Sequence, residues 1–303
     1  MIASFQGVAK WYGAVIGLVD ATIEIEPGIT GLLGPNGAGK STFLKLLGGQ
    51  LCPSQGIVRL LDADPFADPS VHRRVGFLPE QDAFYDSLTG REFVHFLTRL
   101  HGFSRREAAE RTAVAIDQVD LNDVADRKVK TYSKGMRQRI KLAQCIAHDP
   151  ELLILDEPLT GMDPVARRRT IDLVRELAAA GKTVIVSSHI LHEVQDMTNR
   201  VILLYQGRVR ASGTSEDIRS YLNRYPHKIR IRSPEPRAIS RALLALPGVV
   251  GVHLEDGSVQ IETQAPDELY DRLPALVLDD ELPVEGLEAE DVGLDAIFEY
   301  LVS

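Results

Sequence analysis

Gly34-Pro35-Asn36-Gly37-Ala38-Gly39-Lys40-Ser41 is the stretch on which the fold turns. It satisfies G-x-x-x-x-G-K-[ST] in full. Before it, Ile29–Leu33 is a short apolar run of the kind a buried strand makes. After it, Ser41–Gly48 sets Phe43, Leu44 and Leu47 on one helical face. Glycines between a strand and a helix let the backbone wrap an anion, with successive N–H groups turned inward and the positive helix end behind them. In such a cradle Lys40 reaches the β- and γ-phosphates of a nucleotide and the Ser41 hydroxyl is a ligand for Mg²⁺. A glycine-rich turn with a chance lysine is the bland alternative, and the flanking elements argue against it.

Farther along the chain, Leu152-Leu153-Ile154-Leu155-Asp156-Glu157-Pro158 ends an apolar run on two carboxylates. Leu152–Leu155, Val184–Val186 and Val201–Leu204 read as strands buried on both faces of a parallel sheet. Helical patterns over Pro164–Ala180 and Ile190–Met197 alternate with them, as in βαβ units. An open α/β sheet binds its ligands at the carboxyl ends of its strands. That places Asp156 to hold the Mg²⁺ hydration shell and Glu157 to act as general base on water. Alternation over Ala21–Glu26, with Ile57–Leu61 and Val75–Leu78, adds strands, and Gly90 to about Val124 is helical in character. Ser104 and Glu107 stand at capping-box spacing, and Arg137–Ala147 reads as a further helix.

The 303 residues carry a net charge of −9, unevenly placed. Residues 228–303 hold 6 Lys/Arg against 16 Asp/Glu, a net of −10, which leaves +1 for residues 1–227. That balance argues against a nucleic-acid-coating protein. Two cysteines, Cys52 and Cys145, exclude a disulfide scaffold and fit a reducing compartment. Uncharged stretches end at about 13 residues, short of the roughly 18–20 that a membrane helix needs. The first residues, Met1-Ile2-Ala3-Ser4-Phe5, lack a signal-peptide plan. A chain of this kind is expected to be cytosolic, with any membrane span supplied by another polypeptide. Residues 224–236 contain three prolines and read as a linker. Starting from Lys228–Arg232, which alternates as a strand, strand and helix patterns follow the order βαββαβ plus a closing helix over Val292–Leu301, and Asp256-Gly257 marks a hairpin turn.

Between the loop and the acidic pair lies Tyr132-Ser133-Lys134-Gly135-Met136-Arg137-Gln138-Arg139, with Ser133 23 residues before Asp156; His189 follows Glu157 by 32. With these motifs in this order, residues 1–222 resemble the nucleotide-binding subunit of ATP-binding cassette (ABC) transporters. The resemblance implies a P-loop NTPase (RecA-like) α/β core with ABC antiparallel β and helical subdomains, the latter over about 90–147. The cassette would fill 1–223, and a small acidic α+β, ferredoxin-like domain would fill 237–303. ATP and Mg²⁺ are the implied ligands. Gly34 through Ser41, with Thr42, would take the phosphates, and Tyr12 in Lys10-Trp11-Tyr12-Gly13 would stack on adenine. Asp156, Ser41 and Glu80 would face the metal, and Glu157, His189 and Lys40 would form the catalytic group. Ser133, Lys134 and Gly135 match the signature that caps the γ-phosphate held by an opposite subunit. Asp163 matches the loop that links the two sites of a dimer; it also reads as a simple N-cap before Pro164.

This chain departs from the family pattern at three places. Tyr132, Lys134 and Met136 replace the Leu, first Gly and Gln of the usual signature. Glu80 stands where the family has a loop glutamine, with Gln81 one position late, and Thr160 replaces a serine. Leu78-Pro79-Glu80 and Tyr132-Ser133-Lys134-Gly135-Met136 are similar to the branch that drives ABC-2-type exporters. The ending Glu290-Asp291-Val292-Gly293-Leu294-Asp295-Ala296-Ile297-Phe298 is similar to that branch's closing helix. The function implied is an ATPase subunit at the cytoplasmic face of the membrane, paired head to tail as a homodimer that sandwiches two ATP. It would be coupled to a separate transmembrane permease and would need no nucleic acid. The alternative is a soluble ABC-type ATPase of translation or DNA repair. Those relatives generally carry two cassettes, a coiled-coil insertion or zinc cysteines, none of which this sequence contains. A GTP switch is a third reading, opposed by the lack of an Asn-Lys-x-Asp motif.

Overall fold

A computed structural model describes residues 1–214, 217–218, 226–255, 257–279 and 283–289. Its contacts divide the chain into two compact units, Met1–Ser212 and Gly213–Ser303.

In the first unit, β1 (Ala3–Tyr12) pairs antiparallel with β2 (Val15–Ile25) and with β4 (Gln55–Leu60). The second sheet runs in the order β5-β6-β7-β3-β8-β9. Its strands are β3 (Ile29–Leu33), β5 (Val75–Leu78), β6 (Leu152–Asp156), β7 (Thr183–Ser188), β8 (Arg200–Tyr205) and β9 (Arg208–Thr214). The pairs β5·β6, β6·β7, β7·β3 and β3·β8 are parallel. Alternating residues of each central strand feed opposite cores, as two-sided burial requires. Leu152, Ile154 and Ile185 join the cluster of Phe5, Phe43, Leu44 and Leu47, whereas Leu153, Leu155, Val184 and Val186 join Ile140, Ala143 and Val174. The rings of Phe5 and Phe43 stack at 4.2 Å. This contact fastens α1 (Lys40–Leu47) to the antiparallel sheet, and each fully buried Leu or Phe side chain in it is worth about 1.5–3 kcal/mol.

The helical subdomain holds α2 (Gly90–Leu100), α3 (Arg105–Gln118) and α4 (Lys134–Ile146). Reciprocal capping boxes, Thr89 with Glu92 and Ser104 with Glu107, start the first two. α5 (Pro164–Ala179) and the short α6 (Leu191–Gln195) complete the unit.

The second unit has β10 (His227–Arg232), α7 (Pro236–Leu244), β11 (Val249–Glu255), β12 (Ser258–Thr263), α8 (Pro266–Asp279) and β13 (Gly286–Ala289). The sheet order β11-β12-β10-β13, antiparallel throughout, is that of a ferredoxin-like sheet. Ile229, Ile231, Ile239, Leu243, Val259, Ile261, Leu269 and Leu273 form its own core. The strand expected over Lys228–Arg232 is β10, whose alternation buries Ile229 and Ile231 and makes this part of the 224–236 span an inner strand. The helix expected over Val292–Leu301 lies outside the described residues.

Candidate functional site

Parallel register brings the functional ends of three strands together. Leu33 pairs with Ser188 and Asp156 with Ser187, so the chain leaves β3, β6 and β7 at one edge. From β3 it enters the glycine loop. Gly39 has φ +105°, and a Cβ there would stand 2.4 Å from the Gly17 carbonyl oxygen, so only glycine fits. No side chain caps α1, whose first N–H groups face the loop. Gly34 and Ala38 are buried beneath the loop, while Asn36 and Gly37 are exposed at its rim. Lys40, 7% exposed, folds back on its own loop. Its Nζ donates to Gly34 O at 2.7 Å and Pro35 O at 3.3 Å and lies 3.6 Å from Glu157 Oε1.

At the end of β6, Asp156 is 2% exposed and its Oδ1 accepts from Ser187 Oγ at 2.6 Å. Ser187 Oγ accepts in turn from the Glu157 N–H at 3.0 Å. Glu157 adopts φ +51°, a left-handed conformation that costs a non-glycine residue of order 1–3 kcal/mol. The strain is held from both sides, since the Glu157 carbonyl also accepts from Gln138 Nε2 at 2.8 Å. It aims the carboxylate between Lys40 and His189, whose Nδ1 lies 2.9 Å from Oε2. His189 itself is 44% exposed on its side chain.

A cavity of about 430 Å³ opens here, lined by Gly37, Gly39, Lys40, Ser41, Thr42, Glu80, Asp156 and Glu157 on its polar side. Tyr12, Val15, Ile16 and Gly17 form an apolar wall. Tyr12 is 45% exposed, so it is not a core aromatic, and its hydroxyl lies 3.4 Å from Thr42 Oγ1. Trp11 and Gln81 do not line the cavity. Among the described residues no group of three or more His, Cys, Asp or Glu could hold a metal. Asp156 and Ser41 offer two oxygens instead.

The remaining motif residues stand apart from this cavity. Ser133 caps α4, accepting from Met136 N at 3.2 Å, and Ser133 and Lys134 are exposed. The helix thus begins at Lys134, not at Arg137. Gly135 packs close to the Gly161 carbonyl, where an added Cβ would stand 3.3 Å away. Tyr132 is buried and donates to Val124 O at 2.8 Å. Asp163 caps α5 through Val165 N at 3.0 Å and Ala166 N at 2.9 Å; the Ala166 bond, ahead of the others, holds its carboxyl below the usual range. Sequence reasoning overlooked Ser187, Gln138 and Lys141. Lys141 carried one signal, a charge set between Ile140 and Leu142 in an otherwise buried stretch of helix.

A family model described as ABC transporter matches residues 18–160. The chain is 35% identical over 264 residues to the daunorubicin/doxorubicin resistance ATP-binding protein DrrA of Streptomyces peucetius, covering 86% of this chain and 80% of that protein. It is 32% identical over 303 residues to the daunorubicin resistance ATP-binding protein DrrA3 of Streptomyces coeruleorubidus, covering 98% and 94%. Among solved structures, an ATP-binding subunit of an ABC transporter superposes with a TM-score of 0.67 at 28% identity, over 73% of this chain and 93% of that one. The dimeric structure of MJ0796, a bacterial ABC transporter cassette, gives 0.66 at 25% identity, over 70% and 98%.

Proposed function

The chain belongs to the ABC transporter family, and from that premise we propose how its residues divide the work of an exporter ATPase. It is an ATP-binding and ATP-hydrolysing subunit of exporter type. The soluble translation or repair ATPase is not favoured by relatives that are resistance and export ATP-binding proteins. The observation that carries the assignment of roles is the Lys40–Glu157–His189 constellation, in which Lys40 and Glu157 line the cavity and His189 is bonded to Glu157 from outside that lining.

In this reading Tyr12 stacks on adenine beside Val15 and Ile16. The uncapped start of α1 and the loop N–H groups receive the phosphates. Lys40 leaves Glu157 for the γ-phosphate, which exchanges an internal ion pair for one to substrate. Glu157, released, takes a proton from water as the water oxygen attacks phosphorus and the bond to the β-phosphate oxygen breaks. His189 keeps its bond to Glu157 and orients it. Asp156 and Ser41 would hold Mg²⁺, which would supply charge neutralisation on the phosphates when bound. Glu80, which also lines the cavity, would hold the hydration shell of that ion.

Ser133 and Gly135 are not among the residues lining the chain's own cavity, and in this reading they serve the nucleotide of a second copy. Two copies would close head to tail on two ATP, with Asp163 near the seam. No described helix is long and apolar enough to cross a membrane, so the translocation path falls to a separate permease at whose cytoplasmic side this subunit docks. The loop at 79–89 and the helices at 90–125 would carry the motion to it. Residues 213–303 would form an accessory domain.

Glu157→Gln tests the roles. Hydrolysis should fall by roughly 10²–10⁴-fold, the usual worth of a general base, while ATP affinity stays within a few-fold and a dimer accumulates with ATP in gel filtration. Unchanged turnover would remove Glu157 from the base position.

A further inference from the structure

We propose that Lys141 is the positioning residue of Glu80, tying the loop that carries Glu80 to the helix that Ser133 begins; this rests on the ATPase reading above. Lys141 is only 3% exposed, yet its ammonium is fully engaged. Nζ donates to Pro79 O at 3.0 Å and Glu80 O at 3.0 Å and pairs with Asp82 Oδ1 at 3.1 Å. An ammonium has three protons, and here three oxygens meet them. Burying such a charge is costly unless it is paired and hydrogen-bonded, so a solvated lysine would be the cheaper choice if nothing needed holding.

The neighbours on the same helical stripe hold the same segment. Three residues on, Gln144 Nε2 donates to Phe77 O at 3.0 Å. Four residues back, Arg137 lies 3.5 Å from Asp82 Oδ2, and its guanidinium sits 5.7 Å from the centre of the Phe84 ring. Positions 137, 141 and 144 share one face of α4. β5 ends at Leu78, so the backbone of 79–82 leaves the sheet ladder just where Glu80 turns its side chain to the cavity. α4 replaces the ladder as support, and Lys141 is the part of it that grips Glu80's own carbonyl. Lys141 stands eight residues from Ser133, about 12 Å along a rigid helix. A displacement of the Ser133 end is therefore felt at Glu80.

The test uses full-length protein and four variants: Lys141→Met, Asp82→Asn, Glu80→Gln and the Lys141→Met/Glu80→Gln double. In nucleotide-free Lys141→Met, amide exchange at residues 80–83 should speed at least tenfold, while that of β6 and β7 stays as in wild type. ATP affinity in EDTA should stay within about twofold of wild type, and half-saturating Mg²⁺ for turnover should rise several-fold. Adding Lys141→Met to Glu80→Gln should cost no further turnover, because residues that act through one another are not additive. Asp82 is 43% exposed, so Asp82→Asn should fold even if Lys141→Met does not, and it should shift exchange and Mg²⁺ dependence the same way by less. Uniformly faster exchange across the core, additive losses in the double variant, or an unmoved Mg²⁺ dependence would each overturn the positioning role. Absence of any ATPase in wild type would instead sink the ATPase reading itself.

Discussion

His148 shows how much one buried side chain can set the behaviour of the molecule. It is 6% exposed, its ring stacks on His101 at 3.7 Å, and its Nε2 lies 3.1 Å from Val75 O. Burial, more than its neighbour His101, pushes its pKa down from 6.5 to about 4. Burial lowers His101 as well. A histidine whose folded pKa lies below its unfolded value binds protons preferentially when unfolded. Its contribution is intact above the unfolded pKa and is lost as pH falls toward the folded one. Between about pH 7 and about pH 5 the loss from His148 should be about 2 kcal/mol. Urea unfolding at the two values should show it, and His148→Gln should flatten the slope; an equal slope in the variant would clear His148 of the effect. The residues proposed to act at the nucleotide can be picked out in the sequence because such chemistry fixes their type and order: Lys40 behind glycines, and Asp156 and Glu157 at a strand end. Ser187, Gln138 and Lys141 cannot, since they act through backbone groups and oxygens far away in sequence, and such pairings leave no local pattern.

Helix starts decide where the motif residues point. Thr89 and Glu92 begin α2 with a capping box, and Gly90 sits inside it. A Cβ on Gly90 would lie 2.3 Å from the Tyr132 hydroxyl, which is itself buried and bonded to Val124 O. Two effects of Gly90→Ala oppose each other. Alanine is the better helix former by up to about 1 kcal/mol. Overpacking a buried group costs typically about 1–3 kcal/mol, and at this separation the clash wins. A lower urea midpoint is the expected result, and equal or higher stability would show that Tyr132 can yield. Because Tyr132 adjoins Ser133, the same variant should weaken the ATP-dependent dimer more than ATP binding itself. The sequence periodicity placed most helices within a residue or two and mistook the start of α4, because Lys134-Gly135-Met136 has no apolar period and only the Ser133 cap reveals it. Strands were read too short wherever polar residues are buried. Thr183, Ser187 and Ser188 belong to β7 because the sheet and the site satisfy them. Pro226, Pro234 and Pro236 flank β10 and gave that segment the composition of a linker.

Across the whole chain, every residue lining the cavity at Lys40 and Glu157 lies in Met1–Ser212, and Gly213–Ser303 has a core of its own. The net charge of −10 is likewise confined to residues 228–303, a stretch of sequence that contains none of the motifs proposed to bind phosphate. A ligand stabilises only the cooperative unit that forms its site, by RT ln(1 + [L]/Kd). With ATP at about a hundredfold over its Kd, in EDTA to prevent turnover, the gain is about 2.7 kcal/mol, which slows exchange through opening of that unit by about a hundredfold. Amides of β3, β6, β7 and α1 should show this slowing. Amides of β10 and β12, whose Ile229, Ile231, Val259 and Ile261 close the second core, should exchange at their ligand-free rate. Equal protection of both sets would mean that the two units unfold as one, and that the acidic domain is part of the nucleotide-responsive body. A rate change confined to β10 and β12 would place the nucleotide somewhere other than the cavity built on Lys40 and Glu157.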